Sequence, residues 1–535
     1  MIFNKLIIHN FKQFEYLQIE LNQDINMIVG ENETGKTTIL EALALVTTGK
    51  FWGRKFEAFL SNELFNYNAA NRYLSSLSSE KPISPPEILI EVYAEDEDSC
   101  ADMKGMNNSL MENSPGIAYK IYFNPELTES YQDALKQSNI KDMPLEFYRY
   151  EWKSFAGEVI TSYNNPITAS IIDTSQVNNN IIGTYISQEI KENLSDSDIR
   201  SLATTYRSLR NDFSSLEPIQ KLNSQLADRT TFTSRLVEVS LNSINTLEWQ
   251  KDLSLKIDSI SFQYSGRGAQ NILKTSLALA KRPQRKTSIL LIEEPENNLS
   301  YTNMAKLVSE IIDKNKNRQI FIATHSSFIV NKLGLDKIIL LYNKTQTSLK
   351  NLPHDTIKYF KKLPGYDTLR LALAEKVILV EGPTDELIIQ AAYLKAYNHL
   401  PIADGIDIIS VRSLAFKRFC DMAMLLKKPV VVVTDNDGDI QCNINEKYKD
   451  YDKSIVILVY EKDQSLNTIE PSFLNANADK IVELGKLITG KEKSYVDLLS
   501  YMTKNKTEWA LKVFDNPKSV NYPEYINDAI KYTKE

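Results

Sequence analysis

Residues Gly30-Glu31-Asn32-Glu33-Thr34-Gly35-Lys36-Thr37 have the types and spacing to cradle phosphate. The glycines let backbone N–H groups curl around phosphate oxygens, Lys36 reaches the β- and γ-phosphates, and the Thr37 hydroxyl ligates Mg2+. Asn26 to Val29 reads as the strand before this loop and Thr37 to Leu43 as the helix after it, whose positive end adds to the site. Gly30, Asn32, Gly35, Lys36, Thr37 and Thr38 are therefore expected to hold ATP with Mg2+. Further on, the apolar run Ile289 to Ile292 reads as a buried strand ending in Glu293-Glu294. One carboxylate there (Glu293) suits the Mg2+ shell, and its neighbour (Glu294) suits polarising the attacking water. Ile320 to His325 is another such strand. The chain has only 4 histidines, so His325 at that address is expected to sense the γ-phosphate.

A second group is made of carboxylates. Glu381-Gly382-Pro383-Thr384-Asp385 follows the apolar run Lys376 to Val380, and Asp435-Asn436-Asp437 follows Pro429 to Thr434. Strands ending side by side place such residues in one crevice beyond the C-terminal edge of the sheet. Carboxylate oxygens are hard ligands that suit Mg2+ or Mn2+ better than zinc. An ion held there activates water and stabilises the leaving oxygen of a phosphodiester. A single Asp-x-Asp is more often a surface turn; the two motifs after two strands are more specific.

These groups need a scaffold. With 535 residues the chain exceeds one compact core, and two or three domains are expected. Its 42% hydrophobic and 24% charged residues are ordinary for globular protein. No apolar run approaches the roughly 18–20 residues of a membrane span. The first residues read as a strand rather than a signal peptide, and Cys100, Cys420 and Cys442 are too few for a disulfide framework or a zinc site. A reducing cytosol is the expected home. A net charge of −7 does not advertise nucleic-acid binding, nor does it exclude it, because an acidic cluster contributes to the total. Basic groups such as Lys417-Arg418 and Lys427-Lys428 more often mark solvated helix faces.

Alternating strand and helix patterns predict an α/β chain. The expected layout is a first ATPase half over 1–164, a helical insertion over 165–252 and a second ATPase half over 253–350. A linker over 351–370 and a parallel-sheet domain with a helical C-terminal part over 371–535 complete it. Glu87 to Tyr93 alternates as a strand at a sheet edge. The insertion carries Ile186, Ile190, Leu202, Leu209, Leu216, Leu222 and Leu236 at helical spacing with no obvious core of its own. It is expected to pack against a second copy, the alternative being an ordinary helical subdomain.

Tyr264-Ser265-Gly266-Arg267-Gly268-Ala269-Gln270 resembles the signature loop of ABC-type ATPases, which caps ATP bound to the opposite subunit, although the usual run is tighter around Ser-Gly-Gly-Gln. That resemblance nominates Ser265, Gly266, Gly268 and Gln270 for nucleotide binding and implies at least a homodimer. Asn10-Phe11-Lys12 resembles the heads of SMC-like proteins, but the interval between the ATPase halves is too short for an SMC arm. Glu381-Gly382-x-x-Asp385 with Asp435-x-Asp437 resembles the TOPRIM domain of topoisomerases, primases and some nucleases. The whole order resembles the OLD (overcoming lysogenization defect) family of nucleases, also represented in the Gabija defence system.

By that resemblance Glu381, Asp385, Asp435 and Asp437 are metal ligands. Thr468-Ile469-Glu470-Pro471 matches a later acidic motif and nominates Glu470; Lys504 to Ala510 matches a lysine motif and nominates Lys506 to neutralise phosphate. Asp385 stands where the family often has Glu, and Glu293 where many ATPases have Asp. The resemblance implies an ATP-regulated, metal-dependent DNA endonuclease or nickase in defence against phage. Implied partners are DNA, a further copy, and a helicase, a retron with reverse transcriptase and RNA–DNA hybrid, or another effector. The rival readings are an ATP-driven clamp or invasion sensor that binds without cutting, and strand passage through a nucleophilic tyrosine.

Overall fold

The computed structural model describes residues 1–51, 54–79, 81–137, 142–173, 190, 194–229, 238–239, 249, 253–280, 287–314, 318–342, 345–411 and 415–534. Ile186, Leu236 and the Asn178-Asn179-Asn180 run lie outside them. The chain forms two compact units, Met1–Ile167 with Gln319–Glu535, and Thr168–Arg318.

The first unit opens with an antiparallel sheet. β1 (Phe3–Phe11) and β2 (Phe14–Glu20) form a hairpin, followed by β3 (Ile25–Gly30), β4 (Ile88–Ala94), β5 (Lys104–Gly105), β6 (Ser114–Phe123) and β7 (Tyr148–Ser154). β4 pairs with β1 on one side and β6 on the other, so the segment expected at an edge lies inside the sheet. The alternation that suggested an edge includes one charged residue inside the strand, Glu91. It is 2% exposed, and its carboxylate accepts from the Ser109 amide at 2.8 Å and the Tyr93 hydroxyl at 3.0 Å. A buried carboxylate supplied with donors is tolerated inside a sheet.

The second unit contains β8 (Ile167–Asp173, all but its first residue) beside β11 (Thr287–Glu293), and the tight hairpin of β9 (Lys256–Ile257) and β10 (Ile260–Ser261). β8 is a strand inside the span read as helical. The helices Asp196–Ser215 and Glu217–Arg229 do follow, the first closed by a Ser195/Asp198 capping box. Along them Leu202, Leu209, Phe213, Leu216 and Leu222 are each at least 38% exposed.

Returning to the first unit, β12 (Gln319–Ala323) and β13 (Ile338–Tyr342) flank β3 in parallel, and β14 (Thr345–Ser348) adds an antiparallel edge. β3 and β12 are buried throughout, as strands covered on both faces must be. The expected linker is itself ordered: it forms the helix His354–Lys362 and opens the helix Thr368–Leu373.

The last sheet is fully parallel. β15 (Lys376–Val380) lies between β16 (Ile406–Ser410) and β17 (Val430–Val433), and β18 (Val456–Val459) completes the order β16-β15-β17-β18. The helices Pro383–Tyr397, Lys506–Asp515 and Glu524–Tyr532 share one core with Ile378, Val380, Val431 and Val433. Phe473 and Trp509 meet in it, with ring centroids 5.1 Å apart.

Candidate nucleotide and carboxylate sites

Gly30 ends β3, and the helix Lys36–Thr48 starts six residues later. Gly35 has φ 101°, and a Cβ there would lie 1.9 Å from Gln13 Nε2 and 2.4 Å from the Phe14 ring, so only glycine fits the turn. Lys36 is buried, its ammonium donating to the carbonyls of Gly30 (3.0 Å) and Glu31 (2.7 Å). The lysine thus holds the loop round while its charge stays at the helix N-terminus, the arrangement that receives phosphate. Asn32 and Thr37 are exposed at the mouth. Thr38 is buried and lines a cavity of about 600 Å³ with Lys12, Gln13, Asn62 and Tyr67, lining residues that the sequence reading did not assign to nucleotide. Lys12 itself pairs with Glu41 of the loop helix.

Because β12 runs parallel to β3, His325 emerges at the same sheet edge as Gly30. His325 is exposed and lines a cleft of about 600 Å³ with Glu31, Asp367, Arg370 and Asp407. The structure therefore brings the sensor candidate to the phosphate-loop edge.

Glu293, Glu294 and the Ser265–Gln270 segment belong to the second unit. Glu294, with φ 45°, turns the chain after β11 and accepts from Asn297 Nδ2 at 2.7 Å. Asn271 Nδ2 donates to the Asn297 carbonyl at 3.0 Å, and a Cβ on Gly268 would lie 2.5 Å from the Asn298 carbonyl oxygen. The helix Arg267–Ala280 is thereby docked on the Glu-Glu turn. Gln270 is 3% exposed and donates to the carbonyls of Phe262 (2.8 Å) and Ser265 (3.0 Å), so its amide braces its own loop. Ser265 Oγ also donates to Phe262 O, at 2.7 Å, whereas Gly266 faces open space.

In the parallel sheet Glu381 follows β15, and Asp435 lies just beyond β17. Thr434 Oγ1 (2.9 Å) and the Asp435 amide (3.1 Å) both donate to Glu381 Oε1, tying the two strand ends together. Asp385 accepts from the Gly382 amide at 3.0 Å, a helix cap that also fixes its carboxylate. Burial and then Glu381 push the Asp385 carboxyl up to about 7. Burial, followed by Asp385, Glu381, Glu470 and Asp437, pushes Asp435 up to about 9. Glu470, 1% exposed in the first turn of its helix, accepts from Thr468 Oγ1 at 2.8 Å. Its Oε1 has no hydrogen-bond partner among the described residues, the Lys506 ammonium being 3.9 Å away. Asp437 is exposed with φ 48°. Asp439, a weaker candidate, accepts from the Cys442 amide at 3.0 Å, as a helix cap does.

Half-buried carboxylates, with one oxygen of the buried Glu470 lacking a hydrogen-bond partner, are the type of donor that suits a divalent cation. Among the described residues no group of three or more His, Cys, Asp or Glu side chains is placed so that it could hold a metal ion.

Comparison with known proteins places these features. The family described as AAA ATPase domain matches residues 1–330, well over half of the chain. The chain belongs to this AAA ATPase family. Residues 373–437 match the family described as Overcoming lysogenization defect protein-like, TOPRIM domain. This AAA ATPase is 22% identical over 478 residues to Endonuclease GajA of Bacillus cereus (strain VD045), covering 82% of the chain and 75% of the relative. It is 23% identical over 379 residues to the DNA replication and repair protein RecF of Streptococcus uberis, covering 65% of the chain and 97% of RecF. RecF of Haemophilus ducreyi is 36% identical over 80 residues, only 15% of the chain and 21% of that protein. No described helix of the AAA ATPase is long and apolar enough to cross a membrane.

Proposed function

We propose that the chain is an ATP-regulated, divalent-metal-dependent DNA endonuclease or nickase acting in defence against phage. The observation that carries this reading is the gathering of Glu381, Asp385, Asp435 and Glu470, with Lys506 alongside, at the C-terminal edge of one parallel sheet. The likeness to an endonuclease across most of the chain supports it.

In this reading Glu381, Asp385, Asp435, Asp437 and Glu470 hold the metal, Mg2+ or Mn2+. A divalent ion so held supplies Lewis acidity to a phosphodiester and lowers the pKa of its bound water. Glu381, fixed by Thr434 and the Asp435 amide, accepts the proton of the attacking water. Lys506, 60% exposed, offsets the charge that builds on the phosphorus oxygens. At the other site Lys36 and Thr37 bind ATP and its Mg2+, Glu293 and Glu294 complete the hydrolytic site, and His325 reads the γ-phosphate. Ser265, Gly266 and Gly268 cap the nucleotide of a second copy. The exposed leucines of the Asp196–Arg229 hairpin support that homodimer. A separate defence component, such as a helicase or a retron complex, acts with it in the cytoplasm.

The test is plasmid nicking in Mg2+ or Mn2+, with and without ATP, for wild type, Glu381→Ala and Lys36→Ala. Cleavage lost in Glu381→Ala, with only its ATP response changed in Lys36→Ala, supports the reading. Intact ATP hydrolysis without cleavage under any of these conditions turns it towards a clamp or sensor.

A further inference from the structure

We propose that a basic cleft at the carboxylate edge of the parallel sheet holds the sugar-phosphate backbone of duplex DNA, with Lys417, Arg418 and Lys447 as its phosphate-binding residues. The inference rests on the DNA-cutting reading above and names the surface that presents the substrate. β16 runs parallel to β15, and the Val411 amide donates to the carbonyl of Val380, the residue before Glu381, at 2.9 Å. The helix Phe416–Leu426 therefore begins at the sheet edge where Glu381 and Asp435 emerge. Lys447 comes to that edge by another route. It follows the helical turn Gln441–Glu446, in which Asn443 Nδ2 donates to the carbonyl of Asn436, between Asp435 and Asp437, at 3.2 Å.

Polar contacts lock these segments together. The Tyr451 hydroxyl donates to Asp421 Oδ1 at 2.8 Å and lies 3.1 Å from the Lys417 carbonyl oxygen. Thr356 Oγ1, on the helix His354–Lys362, donates to Asp421 Oδ2 at 2.5 Å and accepts from Arg418 Nη1 at 3.0 Å. Between them lies a cleft of about 620 Å³, lined by Lys417, Arg418, Lys447 and His354 with Asp355 and Asp421. Asp421 has a hydrogen bond on each oxygen and Arg418 at 3.9 Å, so its charge is answered within the wall. Lys417 is exposed and Lys447 half-buried, and neither has an ion-pair partner among the described residues. Nor does the scaffold need their charge: Lys417 and Arg418 stand in the first turn of a helix that has no acidic residue there, where the helix dipole disfavours cations. Cations left unanswered by the fold are what a polyanion satisfies, with release of its counterions. As a sequence pair Lys417-Arg418 reads as a solvated helix face; the fold adds Lys447 and the edge shared with the carboxylates. Phosphate contacts fix register without reading bases, so the cleft sets the duplex over the carboxylates and adds no sequence preference.

The full-length wild type, Lys417→Gln/Lys447→Gln and a charge-matched control, Lys81→Gln/Lys256→Gln at two exposed lysines elsewhere, are compared. Binding of a fluorescent DNA duplex is followed by anisotropy in Ca2+ over a range of NaCl, and plasmid nicking is followed in Mn2+. The cleft variant should bind the duplex about tenfold more weakly, with the slope of log Kd against log[NaCl] shallower by about 2. Its KM for plasmid should rise by a similar factor, while kcat at saturating plasmid, Tm and the Mn2+ dependence stay as in wild type. The control should match wild type throughout. Wild-type affinity and salt slope in the cleft variant overturn the cleft, and nicking that persists leaves the nuclease reading standing. Equal weakening in the control overturns it too, because net charge alone then explains the loss. Failure of the wild type to bind the duplex overturns the cleft, and failure to nick as well takes the nuclease reading with it. Weakened binding by the cleft variant of a protein that never nicks keeps the cleft and turns the reading to a clamp or sensor.

Discussion

The hydroxyl of Thr368 donates to Asn331 Oδ1 at 2.6 Å, and both side chains are fully buried. Asn331 lies on the helix Ser327–Leu333, which starts two residues past His325, and its amide donates to the carbonyls of Pro364 (3.2 Å) and Tyr366 (2.8 Å). Thr368 opens the helix Thr368–Leu373, which the parallel sheet grips from beyond. Arg370 pairs with Asp407 of β16 and donates to the Ile408 carbonyl at 3.0 Å. Lys428, two residues before β17, donates to the carbonyls of Leu371 (3.2 Å), Ala372 (2.8 Å) and Ala374. A continuous set of polar contacts therefore runs from the His325 edge to the strand whose far end leads to Asp435.

This arrangement predicts that Arg370→Gln separates the two activities. ATP hydrolysis and nucleotide-free nicking should each stay within about threefold of wild type, while the ratio of nicking with and without ATP moves towards one. Steady-state ATPase and plasmid-nicking assays on the same preparation decide it. A ratio equal to that of wild type would place the coupling elsewhere.

Asn331→Ala should instead act on stability. It removes three hydrogen bonds, one of them buried and two half-buried, and strands the Thr368 hydroxyl, at a cost of about 2–4 kcal/mol. Urea melts should show a lower midpoint with an unchanged slope, and Asn331→Asp should not restore it because a carboxylate cannot donate to the two carbonyls.

The local motifs were legible because short-range chemistry dictates them. Gly35 is required by φ 101°, and the apolar runs before Glu381 and Asp435 could only be buried strands. What sequence did not show depends on tertiary partners. The place of the Glu87 to Tyr93 strand inside its sheet was not legible, because the donors that let Glu91 be buried, Ser109 and Tyr93, are identified only by the fold. Arg370 and Asn331 carry no motif; their partners Asp407 and Thr368 are identified only by the fold. Gln270, nominated by likeness to a signature loop, turns inward because three carbonyls of its own loop are within reach of its amide. A spacing pattern does not report which way a side chain faces.

Gly35→Ala tests the phosphate loop without touching the carboxylates. A Cβ 1.9 Å from Gln13 Nε2 and 2.4 Å from the Phe14 ring, at φ 101°, forces the loop out of its turn. Loss of the aligned amides should weaken binding of a fluorescent ATP analogue by about 100-fold or more. Mn2+ titration of the same variant should match wild type, since the carboxylate sheet is built from other strands.

The raised carboxyls of Asp435 and Asp385 give the metal-free protein a defined pH response. Burial pushes the first up to about 9 and the second up to about 7, so the folded chain keeps protons that the unfolded chain releases near the ordinary carboxylate value of about 4. Stability is therefore fullest below pH 4 as far as these two groups are concerned, and declines as pH rises through 7 and towards 9. Melting in EDTA should give a higher Tm at pH 6 than at pH 8. Asp435→Asn stays neutral without taking up a proton, and should raise stability at pH 8 by about 1–3 kcal/mol while flattening the profile. Excess Mn2+ should restore the wild type at pH 8 and do little for the variant, so that the substitution which stabilises the empty site disables the loaded one. A wild-type Tm in EDTA that climbs between pH 6 and 8 would show that these carboxyls ionise without penalty.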